Sequence, residues 1–503
     1  MGAPLVAVIV MSAGDGTRMK SNMNKALHRI GGRTLVGHAV SAASGAGAEH
    51  VAVVVRAQGD AVAAAAREAL PEIVVAYQDD VYGTGRAAEC GLQALPADLH
   101  GTVIVTTGDT PLLEADTLRR LAQTHADNDA AATVITGILP DATGYGRIVR
   151  DQTTGDVLAI VEHKQATEQQ REIREFNSGI FAFDADLLRD VLADLGVNEA
   201  AGEKYLTDVV EIAVARGRRV VAHVLDDLVQ TEGVNDKAQL AKLGREFNRR
   251  LLDKLMRESG AIVIDPETTW VDADVTVGRD TVIHPGCQLH GATTIGDNCV
   301  IGPDSTLKDA EVGDGASVVR SHVDLAVIGA DANVGPYSYL RPGTELGVGG
   351  KIGGFVETKN ATIGDGAKVP HLTYCGDATI GPGANIGAGT IFANYDGVTK
   401  NHTTVGAYSF VGSDSVLIAP VNIGDGAYVG AGSAVEKDVE PGQIAVARAR
   451  QRNIDGWVER RREGTRTAEA ARAARDAQSS SDDGTSSTDS NDVTDVTDVT
   501  EGN

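Results

Sequence analysis

The sequence contains few cysteines, few aromatic residues and no excess of positive charge, and each shortage excludes a class of protein. Four cysteines occur in 503 residues, without the CxxC or metal-ligand spacing of a zinc site, so we expect buried free thiols in a reducing cytoplasm. The formal net charge is −25, which argues against nucleic acid as an electrostatic partner. An anionic substrate must therefore be held by local arginine, lysine or backbone N–H groups, often together with a metal ion.

Long apolar runs are also missing. None approaches the roughly 20 residues that a membrane span requires, so we expect no membrane partner. The first ten residues are apolar and follow no basic residue, which is typical of a first strand rather than a signal peptide. We therefore expect a cytoplasmic protein. Aromatic residues make up 4% of the chain, which favours an architecture that packs small aliphatic side chains.

Aliphatic residues recur at every sixth position in the second half of the chain. One run lies within residues 277–307, and similar runs occupy 328–352 and 405–435. A period of six fits neither the 3.6-residue turn of a helix nor the alternation of a strand, and it predicts a parallel β-helix of hexapeptides. Glycine, asparagine and aspartate are expected at the corners, where they tolerate positive φ. An ordinary β-sandwich would not keep three runs in phase.

The first half of the chain, residues 1–235, alternates strand-like and helix-like segments and predicts an open α/β sheet. Residues 236–260 form the predicted linker, mostly one helix over 236–258 with an apolar stripe. The β-helix is expected over 261–460. Residues 461–503 are expected to be a disordered acidic tail, because the segment from Asp476 onward has eight acidic residues and no basic one.

A glycine-rich turn, residues 12–19, follows the first predicted strand, and Lys25 lies shortly beyond it. Glycines between a strand and a helix let backbone N–H groups approach phosphate oxygens. Arg18 and Lys25 can neutralise the charge that develops on a leaving phosphoryl group. The motif alone is weak, since such turns are often only structural, and it lacks the Gly-Lys-Ser/Thr ending of a Walker loop.

Asp109 follows another predicted strand, 103–107, at the carboxyl end where open α/β sheets bind ligands. A carboxylate at this position can hold Mg²⁺ beside a nucleotide phosphate. The alternative is a helix N-cap before Pro111, which would be favoured if Asp109 stood alone.

Several motifs together resemble the sugar-1-phosphate nucleotidyltransferases. Residues 13–19 with Lys25 resemble the phosphate-binding signature, and Gln78 with Gly83-Thr84-Gly85 resembles the base-reading loop of the uridyltransferases. Segments 144–148, 160–164, 177–180 and 232–235 are similar to the family's sugar pocket and metal site. With a hexapeptide β-helix attached, residues 5–460 resemble the bacterial bifunctional N-acetylglucosamine-1-phosphate uridyltransferase/glucosamine-1-phosphate acetyltransferase family.

This resemblance implies an α/β Rossmann-like nucleotidyltransferase domain and a left-handed parallel β-helix. It implies acetyl transfer from acetyl-CoA to glucosamine 1-phosphate, then uridylyl transfer from UTP, which together supply UDP-N-acetylglucosamine for peptidoglycan and other cell-envelope precursors. Mg²⁺ is the implied metal, and a homotrimer assembled through the β-helix is the implied partner.

For uridylyl transfer, the resemblance implies that Arg18 and Lys25 act on the UTP phosphates and that Asp109 and Asn235 ligate Mg²⁺. The residues implied to bind UTP or UDP-N-acetylglucosamine are Ser12, Ala13, Gly14, Lys25, Gln78, Gly83, Thr84, Thr107, Gly108, Asp109, Gly146, Glu162, Asn177 and Asn235.

Three residues depart from the family's usual pattern. Asp15 stands where lysine is frequent, so we expect it to point away from the phosphates or to face the metal. Asn24 replaces a proline, which we expect to loosen the loop of Lys25. Arg86 replaces a histidine. None removes a catalytic group, so we expect changes in rate rather than loss of activity.

The six-residue period lapses around residues 394–400, and insertions in a solenoid often form the binding face. His371 has the pKa range of a base that could take a proton from an attacking amine. A lone histidine in a β-helix is more often structural, by roughly three to one, but Arg341, Lys359 and Tyr374 near it favour catalysis.

For acetyl transfer, the resemblance implies that His371 is the general base, oriented by Glu357. The residues implied to bind glucosamine 1-phosphate are Arg341, Lys359, Tyr374 and Asn385. Those implied to bind acetyl-CoA are Ala388, Asn394, Tyr395, Ser413, Ala431 and Arg448, and Asn394 is also implied to contact the sugar phosphate. Lys400 and Trp457 are expected to contribute from an adjacent subunit.

Two other readings remain open from the sequence. A sugar nucleotidyltransferase with a β-helix used only for assembly would leave the group around His371 unexplained. A non-catalytic scaffold with a decayed fold predicts losses at Lys25, Asp109 or His371, and all three residues are present.

Overall fold

A computed structural model describes residues 4–197 and 202–482. The chain divides into two compact units, Met1–Val446 and Ala447–Asn503. Within the described ranges, no helix is both long and apolar enough to cross a membrane. The predicted boundaries near residues 235 and 260 fall inside the first unit and stay predictions.

The first part of the chain folds as a twisted α/β sheet, as predicted. The central strand, Leu5–Met11, pairs in parallel with His50–Val55 on one side and Thr102–Thr107 on the other. Glu175–Asp184 runs antiparallel to both of its neighbours in the main sheet. The strand order is Val220–Val224, Ala132–Ile138, Glu175–Asp184, Thr102–Thr107, Leu5–Met11, His50–Val55 and Val74–Tyr77, with Arg147–Arg150 and Val157–Val161 paired off this path.

Helices cover both faces of the sheet. Ala7 and Ile9 pack into one apolar cluster, whereas Val8 and Val10 pack into another, because successive side chains of a strand point to opposite faces. The α-helices of this part are Leu35–Gly45, Gly59–Ala69, Thr84–Gln93, Ala115–Asp127, Glu168–Arg171, Ala185–Asp194 and Asp208–Ala215. Short 3₁₀ turns occur at Thr17–Met19, Lys25–Leu27 and Leu228–Thr231, and Arg29–Ile30 pairs with Arg33–Thr34.

Residues 262–445 form a parallel β-helix with three faces. Ile283 pairs with Ile301, and Leu289 pairs with Leu307, so three six-residue steps close one coil. These aliphatic side chains are fully buried in the shaft. The predicted six-residue period therefore corresponds to one strand and one corner, and the fold prediction is confirmed for this part.

The three faces are called A, B and C in chain order. Face A contains Ile262–Val263, Val282–Ile283, Val300–Ile301, Ser317–Val318, Asn333–Val334, Lys351–Gly354, Lys368–His371, Asn385–Ile386, Phe410–Val411, Tyr428–Val429 and Ile444–Ala445. Face B contains Trp270–Val271, Gln288–His290, Thr306–Lys308, His322–Asp324, Tyr339–Leu340, Ile391–Ala393, Val416–Ile418 and Ala434–Val435. Face C contains Thr276–Val277, Thr294–Ile295, Glu311–Val312, Ala326–Ile328, Thr344–Leu346, Thr403–Val405 and Val421–Ile423, while Glu357–Ile363 and Tyr374–Ile380 run from face B onto face C.

The glycines that follow the shaft residues have a different role from the predicted one. Gly296 does not have positive φ, and a Cβ atom there would lie 2.2 Å from Oδ1 of Asp314 in the next coil. That oxygen accepts a hydrogen bond from the backbone N–H of Asp297 at 2.8 Å. Positive φ occurs instead at corner residues such as Asp280 and Asn298. These glycines are therefore required because the coils stack closely.

The linking helix, Lys237–Lys254, confirms the helix predicted over 236–258, and a π-helical turn at Leu255–Ser259 ends it. Asn248 on this helix is buried; its Nδ2 donates to the carbonyl of Thr269 at 2.8 Å, and its Oδ1 accepts from the N–H of Val271 at 2.9 Å. Both acceptor and donor belong to the start of the β-helix. Asn248 therefore fixes the first coil to the linking helix.

The second unit contains the helices Trp457–Arg461 and Arg466–Asp482. The expected disorder from residue 461 is therefore wrong for residues 466–482, because alanine, arginine and glutamate there are strong helix formers. The remainder of the expected tail, residues 483–503, lies outside the described residues.

We predict that Gly329→Ala destabilises the β-helix. A Cβ atom at residue 329 would lie 2.7 Å from the backbone carbon of Gly347, and overpacking of this kind costs about 1–3 kcal/mol. Gly244→Ala on the linking helix is the matched control, because the nearest atom to its Cβ, Cγ1 of Ile30, lies 3.9 Å away. Thermal unfolding followed by circular dichroism should show a midpoint below that of the wild type for Gly329→Ala but not for Gly244→Ala. A midpoint of Gly329→Ala equal to that of the wild type would contradict the role of this glycine in close stacking of the coils.

Candidate functional site

A cleft of about 370 Å³ opens at the carboxyl edge of the α/β sheet. Leu5–Met11 and Thr102–Thr107 are parallel neighbours, so the residues that follow each strand meet at one edge. The structure brings these predicted residues together in the lining: Ser12, Ala13, Gly14, Lys25, Gln78, Gly83, Thr84, Thr107, Gly108 and Asp109. The sequence did not single out several other lining residues, among them the polar residues Arg56, Tyr82, Glu203 and Tyr205. Glu203 and Tyr205 come from a segment distant in the chain, which no local motif connects with the cleft.

Lys25 and Asp109 meet inside this cleft. The Lys25 ammonium donates to Oδ2 of Asp109 at 2.5 Å, and both side chains are less than one-fifth exposed. Gly16 has φ 62°, and a Cβ atom there would lie 2.7 Å from Cβ of Lys25. The glycine of the turn therefore allows the lysine to reach the carboxylate.

Arg18 and Asn235 lie beside this pair but do not line the cleft. The Arg18 guanidinium donates to Oδ1 of Asn235 at 2.8 Å. The N–H of Val234 donates to the carbonyl of Asp109 at 2.9 Å, which holds Asn235 next to the end of the strand. Two cations and two oxygen-bearing side chains are thus grouped at one end of the cleft.

The oxygens of Asp109 and Asn235 suit a magnesium ion. Mg²⁺ prefers hard oxygen ligands and usually keeps several waters or substrate phosphates in its coordination shell. Both oxygens already accept from cationic groups, so the electrostatics of the donor set favour a cation. Within the described ranges, no group of three or more His, Cys, Asp or Glu residues could hold a metal, so this chain would supply two ligands.

Asn24 does not loosen the loop of Lys25, contrary to our expectation. Its Nδ2 donates to the carbonyl of Ala57 at 2.8 Å, and its Oδ1 accepts from the N–H of Ala26 at 2.9 Å. Its backbone N–H donates to Oε1 of Gln58 at 2.8 Å. The buried asparagine caps the short turn and anchors it, which replaces the rigidity of a proline. Asp15, the first departure, lines the cleft.

The predicted base-reading loop is held in a defined shape. Nε2 of Gln78 donates to the carbonyl of Val81 at 2.8 Å. Gly83 has φ 109°, and a Cβ atom there would lie 2.2 Å from the carbonyl oxygen of Lys204. Oγ1 of Thr84 accepts from the N–H of Leu206 at 3.1 Å. The loop is therefore packed against residues 203–206, which contribute the other wall of the cleft.

Gly146, Glu162 and Asn177, the predicted sugar residues, form a separate cluster outside the cleft lining. The N–H of Asn177 donates to the carbonyl of Gly146 at 2.9 Å, and a Cβ atom at Gly146 would lie 3.4 Å from Oε1 of Glu162. Burial, and then the negative charges of Glu203 and Glu162, raise the pKa of Tyr205. Because Tyr205 also lines the cleft, it connects the cluster with the cleft.

Two of the predicted sugar-phosphate residues, Arg341 and Lys359, stack along the edge between faces B and C. Leu340 pairs with Thr358, and Lys359 pairs with Gly376, so Arg341 and Lys359 occupy equivalent corners of successive coils. In the following coils, Nδ2 of Asn394 donates to Oδ2 of Asp377 at 2.6 Å and to the Tyr374 hydroxyl at 3.4 Å.

Lys359 and Lys400 are neighbours at this edge. A hydrogen bond with Lys400 and the charge of its ammonium group lower the pKa of Lys359. Lys400 therefore lies beside Lys359 of its own chain, and its expected contribution to an adjacent subunit stays a prediction. Two adjacent ammonium groups repel each other, so an anion bound between them would relieve the repulsion.

A second column follows the edge between faces A and B. The N–H of Gly389 donates to the carbonyl of His371, that of Asp414 to Ala388, and that of Gly432 to Ser413. Each bond joins one coil to the next, so these predicted residues share one edge: His371, Ala388, Ser413 and Ala431. Asn385 lies on face A between Lys368 and Phe410.

The lapse in the six-residue period is an ordered loop. Tyr395 and Lys400 bridge in antiparallel fashion, and the N–H of Asn401 donates to the carbonyl of Asn394 at 2.7 Å. The carboxylate of Asp396 accepts from two backbone N–H groups and from the Thr399 hydroxyl, which lowers its pKa. The loop therefore presents Tyr395, which is 59% exposed, at the edge of face B.

The expected contact between Glu357 and His371 is absent from the described residues; Oε1 of Glu357 instead accepts from Arg341 at 2.9 Å. The long side chain of Arg341 extends from the edge between faces B and C and reaches the Glu357 carboxylate on face B. His371 lies at the other edge of this face, between faces A and B. Arg448 and Trp457 belong to the second compact unit, where both are exposed.

Comparison with known proteins agrees with both parts of the fold. A MobA-like NTP transferase domain matches residues 8–168. Hexapeptide repeats of bacterial transferases match residues 274–309, and the hexapeptide repeat of succinyl-transferase matches 402–437. The predicted combination of a Rossmann-like sheet with hexapeptide coils is confirmed and is consistent with a left-handed β-helix.

Several relatives named bifunctional protein GlmU cover almost the whole chain. The protein from Kineococcus radiotolerans is 55% identical over 465 residues, which are 92% of this chain and 94% of the relative. Those from Corynebacterium aurimucosum and Rhodococcus opacus are each 53% identical over 92% of this chain, and the matches cover 96% and 94% of their own lengths. This chain belongs to the GlmU family of bifunctional acetyltransferase–uridyltransferase enzymes.

Proposed function

We propose that the two transfers of UDP-N-acetylglucosamine synthesis occur at the two places described above. Uridylyl transfer uses the cleft of the α/β sheet, and acetyl transfer uses face B of the β-helix with its two edges. The observation that carries the assignment is the grouping of Lys25, Asp109, Arg18 and Asn235 beside the base-reading loop. Cations, oxygen ligands and a nucleotide-sized cleft are the parts that phosphoryl transfer requires.

In the cleft, the backbone around Gly14 approaches the UTP phosphates, and Gln78 and Gly83 contact the uracil edge. Gly146, Glu162 and Asn177 hold the N-acetylglucosamine portion of the second substrate. Its phosphate oxygen attacks the α-phosphorus of UTP while the bond to the β-phosphate oxygen breaks and pyrophosphate leaves. No covalent enzyme intermediate is needed, so the residues act by positioning and charge stabilisation.

Asp109 and Asn235 would hold Mg²⁺, which supplies positive charge beside the phosphate oxygens when bound. Lys25 then exchanges its carboxylate partner for a phosphate oxygen. Arg18 donates a hydrogen bond to Oδ1 of Asn235. This bond fixes the amide oxygen near the proposed magnesium position.

On the β-helix, Arg341, Lys359 and Tyr374 bind the phosphate and sugar of glucosamine 1-phosphate. The adjacent ammonium groups of Lys359 and Lys400 support this role, because a phosphate would neutralise their repulsion. Ala388, Ser413 and Ala431 line the path of acetyl-CoA along the edge that carries His371. Asn394, Tyr395 and Asn385 complete the binding set of this part of the chain.

His371 acts as the general base. The substrate amine attacks the thioester carbonyl, an amide C–N bond forms and the C–S bond breaks. The amine proton passes to His371, and the departing coenzyme A sulfur takes up a proton.

We propose that the chain assembles as a homotrimer through its β-helix. Tyr337 and Phe355 stack at 5.3 Å on the edge between faces A and B, and the N–H of Leu372 donates to the carbonyl of Gly354 in the coil below. All three side chains are more than half exposed, and exposed apolar columns are typical of interaction surfaces. A trimer would bring this column, and His371 beside it, against a neighbouring β-helix.

We predict that His371→Ala lowers acetyl transfer by about 10²- to 10⁴-fold and leaves uridylyl transfer near normal. Asp109→Ala should lower uridylyl transfer and leave acetyl transfer near normal. Removing divalent cations with EDTA should have the same effect as Asp109→Ala. The two reactions are measured separately, as thiol release from acetyl-CoA and as pyrophosphate release from UTP. Loss of both activities from either folded variant would contradict the two-site assignment.

We predict that light scattering gives a particle of three times the 52.2 kDa chain mass. Phe355→Glu with Leu372→Glu should dissociate it and lower acetyl transfer, while uridylyl transfer persists. Leu158→Glu, which changes a 42% exposed side chain of the α/β part, is the matched control and should leave the particle intact. A monomeric wild type with full acetyl transfer would refute the trimer proposal.

A further inference from the structure

A cluster of charged side chains holds the base-reading loop from outside the cleft. Nε and Nη2 of Arg86 donate to Oδ1 and Oδ2 of Asp79 at 3.1 and 2.6 Å. Nη1 of Arg86 lies 2.8 Å from Oε2 of Glu89, and the same carboxylate oxygen accepts from the ammonium of Lys204 at 3.1 Å. We call these four residues, Asp79, Arg86, Glu89 and Lys204, the charged clamp.

The charged clamp joins the two walls of the cleft. Asp79 follows Gln78 directly, and its Oδ1 accepts from the N–H of Val81 at 3.1 Å. Lys204 lies on the opposite wall, between Glu203 and Tyr205, both of which line the cleft. Its backbone N–H donates to the carbonyl of Tyr82, and its carbonyl accepts from Gly85, each at 2.9 Å. In addition to these backbone bonds, the side chains of Arg86 and Glu89 connect Asp79 of the loop with Lys204 of the opposite wall.

Three of the four side chains of the charged clamp are largely buried, whereas Asp79 is 49% exposed. The side chains of Arg86, Glu89 and Lys204 are only 19%, 12% and 15% exposed. A two-point contact between a guanidinium and a carboxylate also fixes their relative orientation, which a lysine ammonium cannot do. Hydrogen bonds with Asp79 and Glu89 raise the pKa of Arg86, and the bonds from Arg86 lower the pKa of Asp79.

We infer that Arg86 is a positioning residue that sets the selectivity of the cleft for UTP. Gln78 donates to the carbonyl of Val81, and Asp79 accepts from the N–H of the same residue. Nε2 of Gln78 also donates to the carbonyl of Gly83 at 3.4 Å. A shift of Asp79 would therefore be transmitted through Val81 to Gln78 and Gly83. The inference rests on the proposed function, in which Gln78 and Gly83 contact the uracil edge.

The test compares Arg86→Lys and Arg86→Met with the wild-type full-length chain. We expect Arg86→Lys to raise the KM for UTP about tenfold while kcat changes about twofold or less, and to lower the ratio of kcat/KM for UTP over CTP about tenfold. Arg86→Met should have a larger effect in the same direction. Thiol release at the β-helix site should be unchanged and reports that the β-helix is folded.

A double-mutant cycle separates positioning from general destabilisation. Asp79→Asn alone should lower the UTP/CTP ratio, and adding it to Arg86→Met should lower the ratio little further, because both changes break one contact. Arg250→Lys is the matched control, since Arg250 makes a similar two-point contact with Asp227 at 2.7 and 2.8 Å, away from the cleft. It should leave the ratio unchanged.

Gln78→Leu distinguishes failure of the inference from failure of the proposed function. If Gln78→Leu lowers the UTP/CTP ratio but Arg86→Lys does not, the positioning role is overturned and the base-reading role stands. If Gln78→Leu leaves the ratio unchanged, the base-reading role and the inference are both overturned. An equal loss of selectivity in Arg86→Lys and Arg250→Lys would also overturn the inference, because it would trace the effect to stability.

Discussion

Backbone pairing between parallel strands determines where the functional side chains of both sites lie. In the α/β sheet, parallel pairing places the ends of Leu5–Met11 and Thr102–Thr107 at one edge, so that Lys25 and Asp109 meet there. In the β-helix, the same kind of pairing repeats coil by coil and stacks equivalent corners into columns. One constraint therefore produces a concave site in the first part and linear edges in the second.

The acidic chain concentrates cations locally at the two proposed sites. Although the net charge is −25, Lys25 and Arg18 converge at the cleft, and Arg341, Lys359 and Lys400 converge at the edge between faces B and C. Each group also contains an oxygen partner, such as Asp109 or Glu357, that holds its cation in place. Each group thus places cationic donors where a phosphate could bind, although the protein as a whole is acidic.

Much of this arrangement could be predicted from the sequence, because it depends on period and on glycine. The six-residue period gave the shaft, and the glycine-rich turn with Asp109 gave the centre of the cleft. Contacts between segments that are distant in the chain carry no local signal, so Tyr205 and Glu203 were missed. The expectation for Asn24 was wrong for the same reason: its anchors, Ala57 and Gln58, belong to another segment. Similarly, only the folded chain reveals that Arg341, rather than His371, is the hydrogen-bond partner of the Glu357 carboxylate.

The central claim is that one chain performs two successive transfers at separate sites. The most direct measurement supplies glucosamine 1-phosphate, acetyl-CoA and UTP to the purified chain and records thiol and pyrophosphate independently over time. The account predicts that thiol appears first, that pyrophosphate follows in equal final amount, and that omitting acetyl-CoA abolishes both products. Pyrophosphate release from glucosamine 1-phosphate without acetyl-CoA, or thiol release that is never followed by pyrophosphate, would contradict it.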